Sequence, residues 1–188
     1  MKKLLSRILA CTLALCLLTA CTNKTSATTS DTLDNATQTT AADSDSLSFS
    51  DLSQLLGKSD ADVTQRLGEG QENFSADGSF FIGRIYQPTV HDTKLQMYTI
   101  CADDEAHTVD SLSLWITDGS TPVSDDTVSS WVDALTEHIG ADPTITEPSE
   151  ESGTRTWRWT TDETIWSLQL LENILTLSVQ PQLGGELR

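Results

Sequence analysis

The sequence predicts an α+β fold: a mainly antiparallel, six-stranded sheet with helices on one face, built from two helix–strand–strand–strand repeats. Three observations carry this expectation. Two segments show helical spacing between a capping residue and a glycine. Each is followed by three runs in which apolar and polar residues alternate. Finally, Val63-Thr64-Gln65-Arg66-Leu67-Gly68 matches Leu135-Thr136-Glu137-His138-Ile139-Gly140 position by position, at an offset of 72.

The chain opens with Lys2, Lys3 and Arg7, then runs apolar for 13 residues from Ile8 to Ala20. That run is too short for a membrane span of ~20 residues but suits the apolar region of an export signal. Residues 1–20 therefore read as a signal peptide. Leu18-Thr19-Ala20-Cys21 resembles the lipobox of bacterial lipoproteins. The resemblance implies that the Cys21 thiol takes a diacylglyceryl group and that cleavage makes Cys21 the new N-terminus. The protein is then lipid-anchored (palmitate-type chains) to the cell membrane on its extracytoplasmic face, two acyl chains giving stable anchoring where one is marginal. Read as an ordinary secretory leader with a chance cysteine, the segment still directs export and only the tether is lost. Ile8-Leu9-Ala10-Cys11 is a weaker match, because cleavage there leaves almost no apolar run.

Removing the leader takes away three cations and no acid. The remaining 8 basic residues face 28 acidic ones, a net charge of −20. Such a surface repels phosphate backbones, so nucleic acid is excluded as a partner. Of the four cysteines, Cys11 and Cys16 leave with the leader and Cys21 is the anchor. Only Cys101 remains, so no disulfide framework is expected, and its strand-like setting favours a buried, inert thiol. Residues 21–46 continue from the lipidated cysteine as a Thr-, Ser- and Asp-rich segment whose only large apolar residue is Leu33. It is expected to be a disordered linker with a reach of ~25–30 Å, and its composition would suit O-glycosylation.

Residues 47–188 make one domain. A short helix is expected over Phe49–Leu56, with Gly57 as its corner. Ser59 or Asp60 caps a second helix that buries Val63 and Leu67 and stops at Gly68. The third begins near Ser124-Asp125-Asp126, places Val128, Trp131, Val132, Leu135 and Ile139 on one side, and ends at Gly140. The strand-like runs are Ser79–Tyr86, Lys94–Cys101 and Val109–Ile116, then Thr154–Thr160, Thr164–Leu171 and Ile174–Gln180. Glu172-Asn173 joins the last two in a tight turn.

Alternation divides the strands into two faces. Leu112, Leu114 and Ile116, Trp166, Leu168 and Leu170, and Leu175, Leu177 and Val179 form an apolar face. With Trp131, Trp157 and Trp159 they fill the space under the helices. The opposite face is rich in Thr, Ser, Gln and Arg and is the expected binding surface. Its large members are Trp115 and Arg158, joined by Arg84, Tyr86, Tyr98 and Gln169. For Trp115 the competing reading is an edge residue covered by a loop or terminus.

Leu55-Leu56-Gly57-Lys58-Ser59, Val63 and Leu67-Gly68-Glu69 resemble the opening helix-turn-helix of the β-lactamase-inhibitor-protein-like superfamily, an opening shared with the small outer-membrane assembly lipoproteins. The resemblance implies helix-plus-sheet repeats and binding of other proteins through the exposed sheet face. The disulfides of the inhibitor proteins have no counterpart here.

Little in the chain points to chemistry. Asp103-Asp104-Glu105, with His107 and Asp110 near, lacks the spacing of a Ca²⁺ loop and reads as a solvated hairpin. His91, His107 and His138 have no zinc-site spacing. Cys101, His107 and Asp110 are the right residue types for a nucleophilic site, but alternation scatters them. No catalytic residue, metal or cofactor is assigned. The expectation is a non-catalytic, membrane-anchored binding module that uses its open sheet face for a protein partner. The alternative is glycan or cell-wall binding through exposed aromatics.

Overall fold

A computed structural model of the chain describes residues 46–149 and 153–182. The expected signal peptide, Cys21 and the linker up to residue 45 lie outside the described residues. The duplicated six-stranded sheet is not what forms. Among the described residues the molecule is mostly β, with eleven strands and three helices. The strands make a three-stranded and an eight-stranded sheet.

The chain enters through β1 (Ser46–Leu47) and turns into α1 (Phe49–Leu55). Ser48 caps α1 reciprocally: its Oγ accepts from the Asp51 amide at 3.1 Å, and its own amide donates to Asp51 Oδ2 at 2.9 Å. After the Gly57 corner, Ser59 caps α2 (Asp60–Leu67), which Gly68 ends. The corner is stitched to the sheet by the Gly57 amide on the Val109 carbonyl (2.9 Å) and the Val109 amide on that of Lys58 (2.8 Å).

The sheet strands of the first half are β2 (Gln71–Phe74), β3 (Phe81–Tyr86), β6 (Gln96–Cys101) and β7 (Val109–Trp115). Between β3 and β6, β4 (Thr89–Val90) and β5 (Thr93–Lys94) leave to pair with β1. Helix α3 (Asp125–Ile139) follows, capped by Ser124 and closed by Gly140 in the left-handed conformation. Then come β8 (Thr144–Thr146), β9 (Thr154–Thr160), β10 (Thr164–Leu171) and β11 (Ile174–Pro181). The large sheet runs β2-β3-β6-β7-β11-β10-β9-β8, antiparallel at every step.

Its six interior strands are the six expected from alternation. The two that alternation does not reveal, β2 and β8, are its edges. Each is short and lies open to solvent, so neither carries a buried stripe to be recognised. Nor do the two halves match element for element: β4 and β5 have no counterparts after α3, and β1 and α1 have none before it.

One face of the large sheet is covered. Leu52 and Leu55 of α1, Val63 of α2, and Val128, Trp131 and Leu135 of α3 pack on Met97, Leu112, Leu114, Leu168, Leu175, Leu177 and Val179. Trp157, Trp159 and Trp166 are buried here, as the sequence predicts. The Trp159 indole N–H reaches Thr136 Oγ1 of α3 at 3.3 Å, and that of Trp166 reaches Thr164 Oγ1 at 2.9 Å. Buried indoles thus keep their donor satisfied.

Candidate functional site

The other face of the large sheet is open, and its register can be followed from edge to edge. One row runs Gln71, Ile85, Tyr98, Ser113, Ser178, Ser167, Arg158, Thr144. The next runs Gln96, Trp115, Thr176, Gln169, Thr156, Thr146. Small hydroxyl residues floor the centre, so the face is shallow there. Among the described residues, Arg158 is the only charged one at a regular ladder position of this face. At its rim Asp110 is set out by the bulge opposite Ile100 and Cys101. In a chain with 28 acidic residues, their near-absence from one whole sheet face is a strong asymmetry.

Trp115 is 41 % exposed on this face, because its neighbours Leu114 and Ile116 take the buried side. No loop or terminus among the described residues buries it. Tyr98 stands 6.3 Å away between ring centroids, tilted by 53°, and its hydroxyl donates to Gln96 Oε1 at 2.9 Å. Beside Trp115, Ile174 and the exposed Leu171 pair across the β10–β11 turn. One end of the face is therefore apolar and aromatic. The cationic point lies three strands away, about 16 Å from Trp115 between Cα atoms. Arg158 is exposed and, among the described residues, forms no ion pair. It borders a shallow cleft of about 330 Å³ with Asp110, Thr160, Ile165 and Gln180.

Of the six residues expected here, Trp115, Arg158, Tyr98 and Gln169 share the open face. Arg84 and Tyr86 do not, and their placement is corrected. Tyr86 pairs with Met97 and is buried with it under the helices. Burial pushes its phenol up from its ordinary value. Arg84 points to the same side, where its Nε donates to Asp60 Oδ1 and Oδ2 at 2.9 and 3.0 Å. Its Nη1 also donates to the Glu69 carbonyl at 2.9 Å. The pair is largely shielded, with side chains 13 % and 14 % exposed. It is a structural clamp between β3 and α2. Residues that the sequence reading did not single out, and that belong to the face, are Gln96, Ile174 and Leu171. Their parity in the strands was a usable signal for all three.

Cys101 faces the helices and is 7 % exposed. Burial pushes its thiol up to about 11, so at neutral pH it is not a thiolate nucleophile. His107 lies in a turn with its ring 4.8 Å from Phe81, and Asp110 is on the rim of the opposite face. These three side chains are thus spread over both faces. In the acidic loop, Asp104 Oδ1 accepts from the Ala106 and Thr108 amides at 3.1 and 3.0 Å, which is the work of a turn former.

Lipidation at Cys21 lies outside the described residues. Comparison of the chain with protein-family models, with curated proteins and with solved structures finds no match in any of the three.

Proposed function

We propose that this is a lipid-anchored, extracytoplasmic, non-catalytic binding protein whose open sheet face takes a protein partner. The observation that carries the reading is the composition of that face. It holds the exposed Trp115, the half-buried Tyr98, one arginine, and serine, threonine and glutamine, with no acid at a regular ladder position. Protein interfaces show this bias, being enriched in aromatic residues and arginine and depleted in Asp, Glu and Lys. Rigid aromatic anchors among small adaptable polar residues are also the composition of antibody combining sites. The lipobox supports the tether and the export. The resemblance of residues 52–70 to the inhibitor-protein-like superfamily agrees with sheet-face recognition. Binding energy concentrates at the Trp115 end, where Tyr98 stands next to the indole, with Arg158 fixing orientation.

The test is capture from solubilised envelope and culture supernatant, with residues 21–188 carrying Cys21→Ser as bait. A specific partner is held by this bait and lost with the double variant Trp115→Ala, Arg158→Ala, whose unfolding midpoint stays within a few degrees of the parent. Equal capture by both baits moves the site off the open face. A variant that unfolds shows the two residues to be structural.

A further inference from the structure

We propose that the cleft beside Trp115 is a binding site for a neutral oligosaccharide. The cleft lies where the loop after β7 rises over the end of β6 and β7, and it encloses about 670 Å³. That is within the range of small-ligand sites, about 300–1,000 Å³. Its apolar lining is Trp115 with Leu95 and Ile116, and its polar lining includes Gln87, Gln96, Lys94, Asp118 and Thr121.

The chemistry of that set selects the ligand. An exposed indole offers a flat apolar plate, and a pyranose ring with equatorial hydroxyls has a matching C–H face. The groups around the plate must then meet a ring edge crowded with hydroxyls, each both donor and acceptor. Gln87 and Gln96 supply amides that donate and accept, Lys94 only donates, and Asp118 only accepts. Asp118 is fixed in place, because Oδ1 accepts from the Ser120 amide at 2.9 Å and from its hydroxyl at 2.6 Å. Those bonds hold its carboxyl below the ordinary value, so it is an ionised acceptor at neutral pH.

Charge narrows the class further. Lys94 and Asp118 cancel within the cleft, while residues 21–188 as a whole carry −20. An anionic sugar therefore meets a repulsive field with no net cation to offset it. The site does not depend on the protein-partner reading: a sugar needs only the cleft.

The test is an NMR titration of residues 21–188 carrying Cys21→Ser, using cellotriose and chitotriose as neutral probes and tri-galacturonate as the anionic one. The indole N–H resonance of Trp115, assigned by its loss in Trp115→Phe, is expected to shift and saturate with a neutral probe, in the range of about 0.1–1 mM typical of weak recognition. Read on the backbone amides of Gln96 and Thr117, Trp115→Ala weakens binding at least tenfold, Trp115→Phe retains most of it, and Asp118→Asn weakens it severalfold. Ile145→Thr, on edge strand β8 outside the cleft, leaves affinity unchanged. No shift from either neutral probe at roughly 10 mM overturns the proposal, as does undiminished affinity in a folded Trp115→Ala. Equal binding of tri-galacturonate overturns the neutral class. Loss of partner capture in Trp115→Ala with sugar affinity intact would leave the protein reading standing and remove this one.

Discussion

At the scale of single residues, Gly83 sets how closely β3 can approach β6. A Cβ there would lie 2.0 Å from the Thr99 carbonyl oxygen, and φ is +150°. The Arg84 amide then donates to Thr99 Oγ1 at 2.8 Å, so β3 and β6 approach more closely than a side chain at residue 83 would allow. The run Phe81-Ile82-Gly83-Arg84-Ile85-Tyr86 has large apolar residues at both parities, so alternation leaves its orientation open. That is why Arg84 and Tyr86 read as open-face residues in the sequence and turn out to be buried structure. Gly83→Ala must push two strands apart and is expected to cost roughly 2–4 kcal/mol. Gly140→Ala is the control: φ is +77° there, but a Cβ meets nothing within 4 Å. It is expected to cost only about 1–2 kcal/mol, the left-handed penalty alone. Urea unfolding of the two variants checks this, and equal losses would show that the close approach at Gly83 carries no special energy.

At the scale of elements, the helix caps were legible and the sheet edges were not. Ser59 and Ser124 each precede an apolar-periodic segment by one or a few positions, and Gly68 and Gly140 end these two helices, whereas the Ser48 cap of the short α1 has no such segment behind it. A cap is a local chemical requirement, so one sequence displays it fully. Strands β9 and β10 were equally plain, because each buries one parity of its residues. Edge strand β8 buries none of its three, and its Ile145 is 53 % exposed, so it exists only because β9 offers a partner. The cap of α1 gives a prediction with a sign. The Asp51 carboxyl is held below its ordinary value of 3.8, first by the Ser48 hydroxyl and then by the Ser48 amide. A carboxyl depressed on folding adds stability that is fully present above its unfolded value and is lost as pH falls through the folded one. Asp51→Asn should therefore cost about 1 kcal/mol at neutral pH and progressively less below about pH 4. Urea midpoints of parent and variant, measured down this range, should converge toward acid. A gap that stays constant would show that the amide fails for a reason other than charge.

At the scale of the whole molecule, charge was legible as a total but not as a pattern. Composition alone shows an excess of acid, whereas its near-absence from the open sheet face needed the register of the eight-stranded sheet. Residues 47–188 carry 24 acidic and 7 basic side chains. With the open face nearly bare of charge, these acids crowd the helices, loops and sheet edges, where they repel one another in the folded state more than in an expanded chain. The ion pairs that oppose this are few. Among the described residues, Arg66–Asp51, Arg155–Glu147 and the Glu72 side of Arg84–Glu72 are exposed to water and contribute little, while Arg84–Asp60 is shielded and is screened less by salt. Screening should therefore remove more repulsion than attraction. Raising ionic strength from about 0.01 M to 1 M shortens the Debye length from about 30 Å to 3 Å. The unfolding midpoint is expected to rise by about 3–5 °C, which for a domain of this size corresponds to about 1 kcal/mol. Calorimetry in sodium chloride measures it directly. A midpoint that falls with salt would mean that the four ion pairs outweigh the repulsion, and that acids on the helix-bearing side are spaced too widely to destabilise the fold. A rise would mean that the acid-free face is kept neutral at a cost in stability elsewhere, the pattern expected of a surface selected for what it touches.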